Sequence, residues 1–592
     1  MTEASNLVQL FFDRAAQRGD KPFLSVKRGG VWVSRSWAEV ARDVAALAQA
    51  LKGMGLARGD RVMLVSENRP EFFIADLAIM AAGCISVPTY TTNTAADHAH
   101  IIADSGARAV IASTPKIAAT LLPAVMRSGA ARHVIGIEPL KVGQSGDIAY
   151  HDWGALLASQ VPDVAGIAAA ASFARSDLAC LIYTSGTSGS PRGVQQTHGA
   201  ILTNIVGAGA IVIEDFPKSP DIFLSFLPLS HAYEHTAGQY LPVYLGSQIY
   251  YAEGLDKLAA NMEEVRPTII VVVPRLLEVL RARVLKAVEK QGGAAPALLR
   301  RALALGQKKQ NGRFRIWDRP ADKLLDLTIR KKLQARFGGR IKALVSGGAP
   351  LNPEIGNFFE NLGLTVLQGY GQTEAAPLIS CNRPRAGLAM ETVGVPLKGV
   401  EVKIADDGEI LVRGEMVMLG YWNRPEETAA ALEGGWLHTG DIGHLDPAGR
   451  LLITDRKKDI IVNDKGENIA PQKIEGMLTL TEPIYQAMVS GDKRPHLVGL
   501  IVPDPEWALA WAKANDEKYD LATLCALPAF HRAVMTAVDG VNSALSVAEK
   551  VRRIALIPDA FTIENEMMTP SIKIRRHMIR HIHGARLDAL YG

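Results

Sequence analysis

Between Tyr183 and Val194 the chain runs YTSGTSGSPRGV. Gly186 and Gly189 let a backbone turn tightly and come close to a ligand, while Thr184, Ser185, Thr187 and Ser188 set hydroxyls beside backbone amides. Such a loop can wrap an anion whose charge is costly to strip of water. Arg192 adds a planar cationic fork suited to phosphate oxygens. An ordinary surface turn has the same composition, so the loop alone leaves both readings open. Its spacing is neither GxxxxGK[ST] nor GxGxxG, which argues against a kinase, a P-loop ATPase or a nicotinamide oxidoreductase.

The elements that must hold this loop are legible on both sides of it. Leu181 to Tyr183 suits the end of a buried strand. Upstream, SRSWAEVARDVAALAQALKGMGL opens with Ser36 and Glu39 at capping-box spacing, and Trp37, Val40, Val44, Leu47 and Leu51 then recur along one helical face. RVMLVSE, a helix from Pro70 to about Ala82, ISVPTY, RAVIAS and ACLIYTSG continue an exchange of short apolar strands with helices. LSFLPLS, TIIVVVP, IKALVSGG and LTVLQGY carry it to about position 370. The rhythm predicts an α/β fold with largely buried sheets and no solenoid repeat. After about 390, VEVKIAD, EILVRG and RLLITDRKKDIIV lie among glycines and predict a smaller β-rich section. Five consecutive charged residues, Asp455 to Asp459, read as a solvated joint. Domains are therefore expected at 1–455 and 456–592, the second a small α+β domain with GLIVPD and RRIALIPD as strands.

At 592 residues the chain exceeds what one core serves, and 48% hydrophobic residues give each domain material for its own. A formal charge of +4 weighs against bulk nucleic-acid binding. Positions 281–340 depart from this balance, with 17 Lys/Arg against four Asp/Glu. Either a solvated helical insertion or a surface that attracts CoA phosphates or anionic lipid answers to that excess. Cys84, Cys180, Cys381 and Cys525 have no metal spacing and read as buried thiols of a reducing compartment. The acidic N-terminal stretch does not read as a signal peptide, and apolar runs fall short of a membrane span. The expectation is a cytoplasmic protein, with peripheral contact at the inner face of the membrane left open and the oligomeric state unassigned.

YTSGTSGSPRGV resembles the phosphate loop of the adenylate-forming superfamily, which includes acyl-CoA synthetases, luciferases and peptide-synthetase adenylation domains. SGGAP at 346–350, QGYGQTE at 368–374, GWLHTGD at 435–441, DRKKDIIVNDKGENIAPQKIE at 455–475 and TPSIKIRR at 569–576 resemble its later motifs in the same order. LPLSHAYEH, Leu227 to His235, with DRKKD and TPSIKIRR, is most similar to bacterial long-chain fatty acyl-CoA synthetases.

The resemblance implies a large adenylating N-terminal domain and a small mobile C-terminal one. It implies ATP, Mg2+ and coenzyme A as reactants and cofactor: a carboxylate attacks the α-phosphorus, pyrophosphate leaves, and the CoA thiol captures the acyl-adenylate. On this reading the loop from Thr184 to Arg192 holds the β and γ phosphates, with Arg192 in place of the family's lysine. Glu374 positions magnesium, Gly348, Ala349, Tyr370, Gly371 and Thr373 surround the nucleotide, and Asp441 and Arg456 reach its ribose. His231 lies beside the carboxylate tunnel and a satisfied core histidine is its plainer reading. Lys573 is the catalytic cation, Arg575 and Arg576 support it electrostatically, and Lys458 is the hinge. His235 stands where long-chain enzymes often carry arginine. Long-chain fatty acid:CoA ligation is the function implied. The alternatives are a medium-chain or aryl acid ligase, a fatty acyl-AMP ligase that loads a carrier protein, and a nonenzymatic lipid or CoA binding protein.

Overall fold

The computed structural model describes residues 4–140, 147–184, 191–217, 220–562, 564–569 and 574–592. Ser185, Gly186, Thr187, Ser188, Gly189 and Lys573 lie outside the described residues. The chain divides into two compact units. The larger is Met1–Lys403 with Leu411–Thr439 and Leu445–Leu451; the smaller is Ile404–Ile410, Gly440–His444 and Leu452–Gly592.

The larger unit is built on two sheets whose strands are mostly parallel and carry helices between them, the arrangement that buries both sheet faces. One sheet has seven strands in the order Ala149–Asp152, His133–Gly136, Ala109–Ala112, Arg61–Val65, Ile85–Thr89, Leu178–Thr184 and Arg192–Thr197. The other has nine: Val395–Pro396, Leu378–Cys381, Val366–Gly371, Ala343–Ser346, Ile269–Val272, Ile222–Ser225, Gln248–Tyr251, Pro22–Arg28 and Val31–Ser36. Central strands such as Ile269–Val272 are buried at every position, as a continuous apolar run requires. The sheets are largely buried as expected, with Val31 and Val33 exposed on the antiparallel edge strand Val31–Ser36. Helix Trp37–Gly53 begins in the expected capping box, with Ser36 and Glu39 side chains each bonded to the other's backbone N–H. Trp37, Val40, Val44, Leu47 and Leu51 are all buried in the core, and helix Pro70–Ala81 is buried along its whole length.

In the smaller unit, strands Ile484–Ser490, Leu497–Pro503 and Val551–Leu556 form a three-stranded sheet covered by helices Pro471–Leu478, Pro528–Asn542 and Arg576–Ala589. Strands Glu401–Ile404, Glu409–Arg413, Leu437–Leu445 and Leu451–Arg456 make the four-stranded sheet of the β-rich section. The charged run there is not uniformly solvated. Asp455 is buried, and burial pushes its carboxyl up to about 6, although the Arg456 N–H donates to it. Lys457 is exposed but tied to Asp407 (2.6 Å) and Glu409 (3.0 Å), and Lys458 beside it is exposed too. Cys84, Cys180 and Cys381 are buried thiols, whereas Cys525 is partly exposed. Among the described residues no helix is long and apolar enough to cross a membrane.

Candidate active site

The two strands that flank the glycine-rich loop are an antiparallel pair, with Thr184 opposite Arg192 and Tyr183 opposite Gly193. The loop is therefore held at its neck by a ladder at the edge of the seven-stranded sheet. Gly193 is a glycine for packing reasons, since a Cβ there would come within 3.0 Å of the Tyr183 ring. Tyr183 in turn donates its hydroxyl to Asp104 at 2.6 Å. A second strip of chain runs alongside the neck: Trp422 N donates to Gly193 O (2.7 Å), Gln195 N to Gly420 O (3.0 Å) and Leu419 N to Gln195 O (3.1 Å). Thr373 and Glu374 are attached to the same framework, through Gln196 Nε2 to Thr373 O (2.8 Å) and Met418 N to Glu374 O (2.9 Å).

This framework brings Arg192 and Glu374 together through a residue that sequence reasoning missed. The Arg192 guanidinium lies 4.3 Å from the Tyr421 ring centroid, and the Tyr421 hydroxyl donates to Glu374 Oε1 at 2.8 Å. Glu427 Oε2 accepts from Arg192 Nη1 at 2.7 Å. Burial works against the Arg192 charge, but the Glu427 hydrogen bond and the nearby Tyr421 and Glu374 hold its pKa above the ordinary value. Burial, followed by the Glu374 charge, raises the Tyr421 phenol, so it stays a donor. Arg192 Nε is buried with no hydrogen-bond partner among the described residues. An orphaned guanidinium N–H at the neck of a hydroxyl-rich loop is suited to an anion's oxygen. Glu374 is half-buried and uses one carboxylate oxygen on Tyr421, so the other remains for a hard cation. Magnesium suits such a place, because it is commonly held by one or two carboxylates together with substrate phosphates. No group of three or more His, Cys, Asp or Glu forms a metal cage among the described residues.

The remaining residues of this unit gather at the carboxyl ends of parallel strands of the nine-stranded sheet, where open α/β sheets bind ligands. Gly348, just past strand Ala343–Ser346, has φ +81°, and a Cβ there would meet nothing within 4 Å, so the space beside it is open. Ala349 is exposed and Tyr370 buried. Gly371 is constrained differently: a Cβ would collide with Pro377 O across the bend to strand Leu378–Cys381. Ser346 and Gln368 stand opposite each other in register, and Ser346 Oγ and Gln368 Oε1 are both buried without partners among the described residues. Ser346 and Gln368 open the SGGAP and QGYGQTE stretches, but sequence reasoning missed both.

His231 caps the short helix Ala232–Glu234 and accepts from Tyr233 N through Nδ1 at 3.2 Å. Tyr233 pins this segment to the strand carrying Ser346, its hydroxyl donating to Val345 O at 2.8 Å and its ring filling the space over Gly347. His231 is half-buried, but His235 is wholly enclosed and pairs with Asp76 (Nε2 to Oδ2, 2.9 Å). Gln239, Tyr240 and Ser86 also donate to Asp76, a network that makes His235 a core residue. Glu234 is buried beside it, and desolvation pushes its carboxyl up to about 8 despite the Ser225 hydroxyl that donates to it.

In the smaller unit, buried Asp441 on Leu437–Leu445 meets Arg456 at the end of Leu451–Arg456, Oδ1 to Nε 3.1 Å. The TPSIKIRR stretch is fixed on either side of its undescribed centre: Met568 bridges Ile574, and Arg575 N donates to Met567 O at 2.8 Å. Arg576 is not a free neighbour of Lys573. Half-buried, it pairs with buried Glu475, and it also donates to Val489 O at 3.3 Å. Glu475 accepts from Val489 N at 2.7 Å, so one carboxylate ties the IAPQKIE helix, strand Ile484–Ser490 and the start of helix Arg576–Ala589.

Open space beside Gly348, unpartnered Ser346 Oγ and Gln368 Oε1 on parallel strands, and the Arg192–Tyr421–Glu374 row fit the class that the motifs imply, an adenylate-forming enzyme. The chain matches the AMP-binding enzyme family over residues 11–422 and its C-terminal domain over residues 458–592, and it belongs to that family. The long-chain-fatty-acid–CoA ligase FadD15 of Mycobacterium tuberculosis is 33% identical over 605 residues, with 100% of this chain and 98% of the relative covered. Peroxisomal long chain acyl-CoA synthetase 7 of Arabidopsis thaliana is 32% identical, covering 96% and 83%. Among solved structures, the adenylation domain of a Mycobacterium chelonae carboxylate reductase superposes with a TM-score of 0.76 at 21% identity, covering 99% and 91%. That likeness extends the fold over almost the whole chain.

Proposed function

We propose that this protein is an AMP-forming long-chain fatty acid:CoA ligase acting in the cytoplasm. The observation that carries the reading is the end-to-end similarity to relatives that bear this name, joined to a site in which Arg192, Tyr421 and Glu374 form one row. A fatty carboxylate oxygen forms a bond to the α-phosphorus of ATP as the bond to pyrophosphate breaks. The CoA thiol then adds to the acyl carbon, loses its proton and expels AMP. Arg192 and the loop from Thr184 to Gly189 bind the departing phosphates. Glu374 would hold magnesium, which supplies charge neutralisation on those phosphates. Gly348, Ala349, Tyr370, Gly371 and Thr373 bound the adenine side, and Asp441 accepts from the ribose hydroxyls with Arg456 orienting it. His231 borders the acyl carboxylate. Lys573 stabilises charge gathering between carboxylate and α-phosphate, Lys458 serves as the hinge, and the domains divide near 455.

The test is AMP and acyl-CoA formation by the full chain with ATP, magnesium, CoA and acids from hexanoate to eicosanoate, with aromatic acids alongside. Both products peaking between dodecanoate and octadecanoate is the expected result. A peak at shorter or aromatic acids moves the substrate class. Adenylate without acyl-CoA redirects the second step to a carrier protein, and no adenylate from any acid overturns the enzyme reading.

A further inference from the structure

The basic stretch 281–340 folds into helices Pro274–Gln291 and Ala295–Gln310 and a nearly continuous helical run from Ile316 to Arg336. The last of these is amphipathic with its apolar stripe on the wrong side for a core. Leu325 and Leu333 are buried, yet Ile316 is 70% exposed, Trp317 68%, Leu324 56% and Leu327 63%. Trp317, Leu324 and Leu327 recur at helical spacing and so share one outward face, which exposed Pro320 joins. Scattered exposed apolar residues need no account, whereas a contiguous group of this size marks a contact surface.

The charges around the stripe are sorted. Asp318 is paired with Lys308 (3.0 Å), Asp322 with Lys309 (2.5 Å) and Arg330 (2.7 Å), and Asp326 with Arg330 (2.8 Å). The acids are thereby neutralised from within the helical layer. Arg313, Arg319, Lys323, Lys331 and Lys332 are exposed, and no ion pair engages them among the described residues. Arg315 stacks toward the Trp317 ring at 5.4 Å. An indole, two leucines and an isoleucine rimmed by unneutralised Lys and Arg match the interface of an anionic bilayer: the apolar groups enter the headgroup boundary and the cations stay at the phosphates. A protein partner would have to supply both a wide apolar face and a ring of acids.

We propose that Ile316, Trp317, Leu324 and Leu327, with Arg313, Arg319, Lys323, Lys331 and Lys332, form a surface that docks the protein on anionic phospholipid bilayers. The surface argument is independent of the ligase reading; only its benefit, drawing a fatty acid from the lipid in which it dissolves, rests on that reading.

Flotation of the full chain with phosphatidylcholine vesicles, with and without phosphatidylglycerol, tests it. The expected result is binding that requires phosphatidylglycerol and weakens with salt. Lys323→Ser should lower the partition about fivefold, and Trp317→Ser with Leu324→Ser and Leu327→Ser should lower it at least about tenfold. These side chains are exposed, so melting temperature should hold. Adenylate formation from a short soluble acid should also hold, which separates failure of docking from failure of the ligase reading. No flotation of the native chain, undiminished binding by the triple variant, or a lipid-free dimer abolished by that variant would each overturn the proposal.

Discussion

At the scale of single residues, Tyr421 is the informative one. Its ring shields the Arg192 guanidinium, its hydroxyl orients Glu374, and its backbone bridges Val194. Tyr421→Phe keeps the ring and the bridge and deletes only the hydrogen bond to a charged carboxylate, a contact worth ~1.5–3 kcal/mol. The variant should melt near the native temperature while the magnesium and ATP concentrations needed for pyrophosphate exchange rise about tenfold. Exchange with unaltered magnesium dependence would remove Tyr421 from the site. Nothing local in LGYWN announces this role, because Tyr421 meets Glu374 only after the chain has run through four intervening strands, Leu378–Cys381, Val395–Pro396, Glu401–Ile404 and Glu409–Arg413. Arg192 was legible from its loop, and Glu374 from its motif, but the residue that couples them was not. His235 shows the converse: the sequence marks it only as standing where long-chain enzymes often carry arginine, while Asp76, far away in sequence, takes it into the core.

At the scale of elements, the start of helix Arg576–Ala589 is held by Arg576 pairing with the buried Glu475 carboxylate. Truncating one member of such a pair leaves an uncompensated charge, so Arg576→Ala should cost ~3–5 kcal/mol, read as a lowered urea midpoint of the smaller unit. Glu475→Gln with Arg576→Met should recover most of that loss. Equal midpoints for the native chain and Arg576→Ala would show the pair to be ornamental. Elements were the most legible level of this chain. The Ser36 and Glu39 capping box, the helix beginning at Pro70 and the apolar strands up to about 370 follow from local periodicity and cap chemistry. The hairpin Pro22–Arg28/Val31–Ser36 did not emerge from periodicity, although Gly29 and Gly30, both with positive φ, supply a two-residue turn that hairpins favour. Strand order escaped prediction altogether, since Gln248–Tyr251 lies between Ile222–Ser225 and Pro22–Arg28 through pairings that no short window contains.

At the scale of the whole molecule, the proposal of a hinge at Lys458 meets a particular local setting. Arg456 and Lys457 are held by Asp441, Asp407 and Glu409, and the next residue is exposed within a turn closed by Asp459 N to Arg456 O at 2.9 Å. Lys458→Pro would fix φ at 458 and restrict Lys457 to extended conformations. It should leave pyrophosphate release near the native rate and slow acyl-CoA formation at least about tenfold; equal slowing of both steps would argue against a hinge here. Composition reads the charged run as a solvated joint, but its inner half is anchored, because Asp455 is buried and its neighbours have fixed partners.

The smaller unit is also discontinuous, taking Ile404–Ile410 and Gly440–His444 along with Leu452–Gly592. Any graft that exchanges C-terminal portions between relatives at a single cut near 458 would separate Arg456 and Lys457 from the body they accompany. Modularity in this chain is therefore threefold in sequence although single in space. A chimaera that transplants all three stretches together keeps the smaller unit whole, whereas a one-junction chimaera leaves the Arg456–Asp441 and Lys457–Asp407/Glu409 pairs intact but draws them from a different parent than residues 458–592.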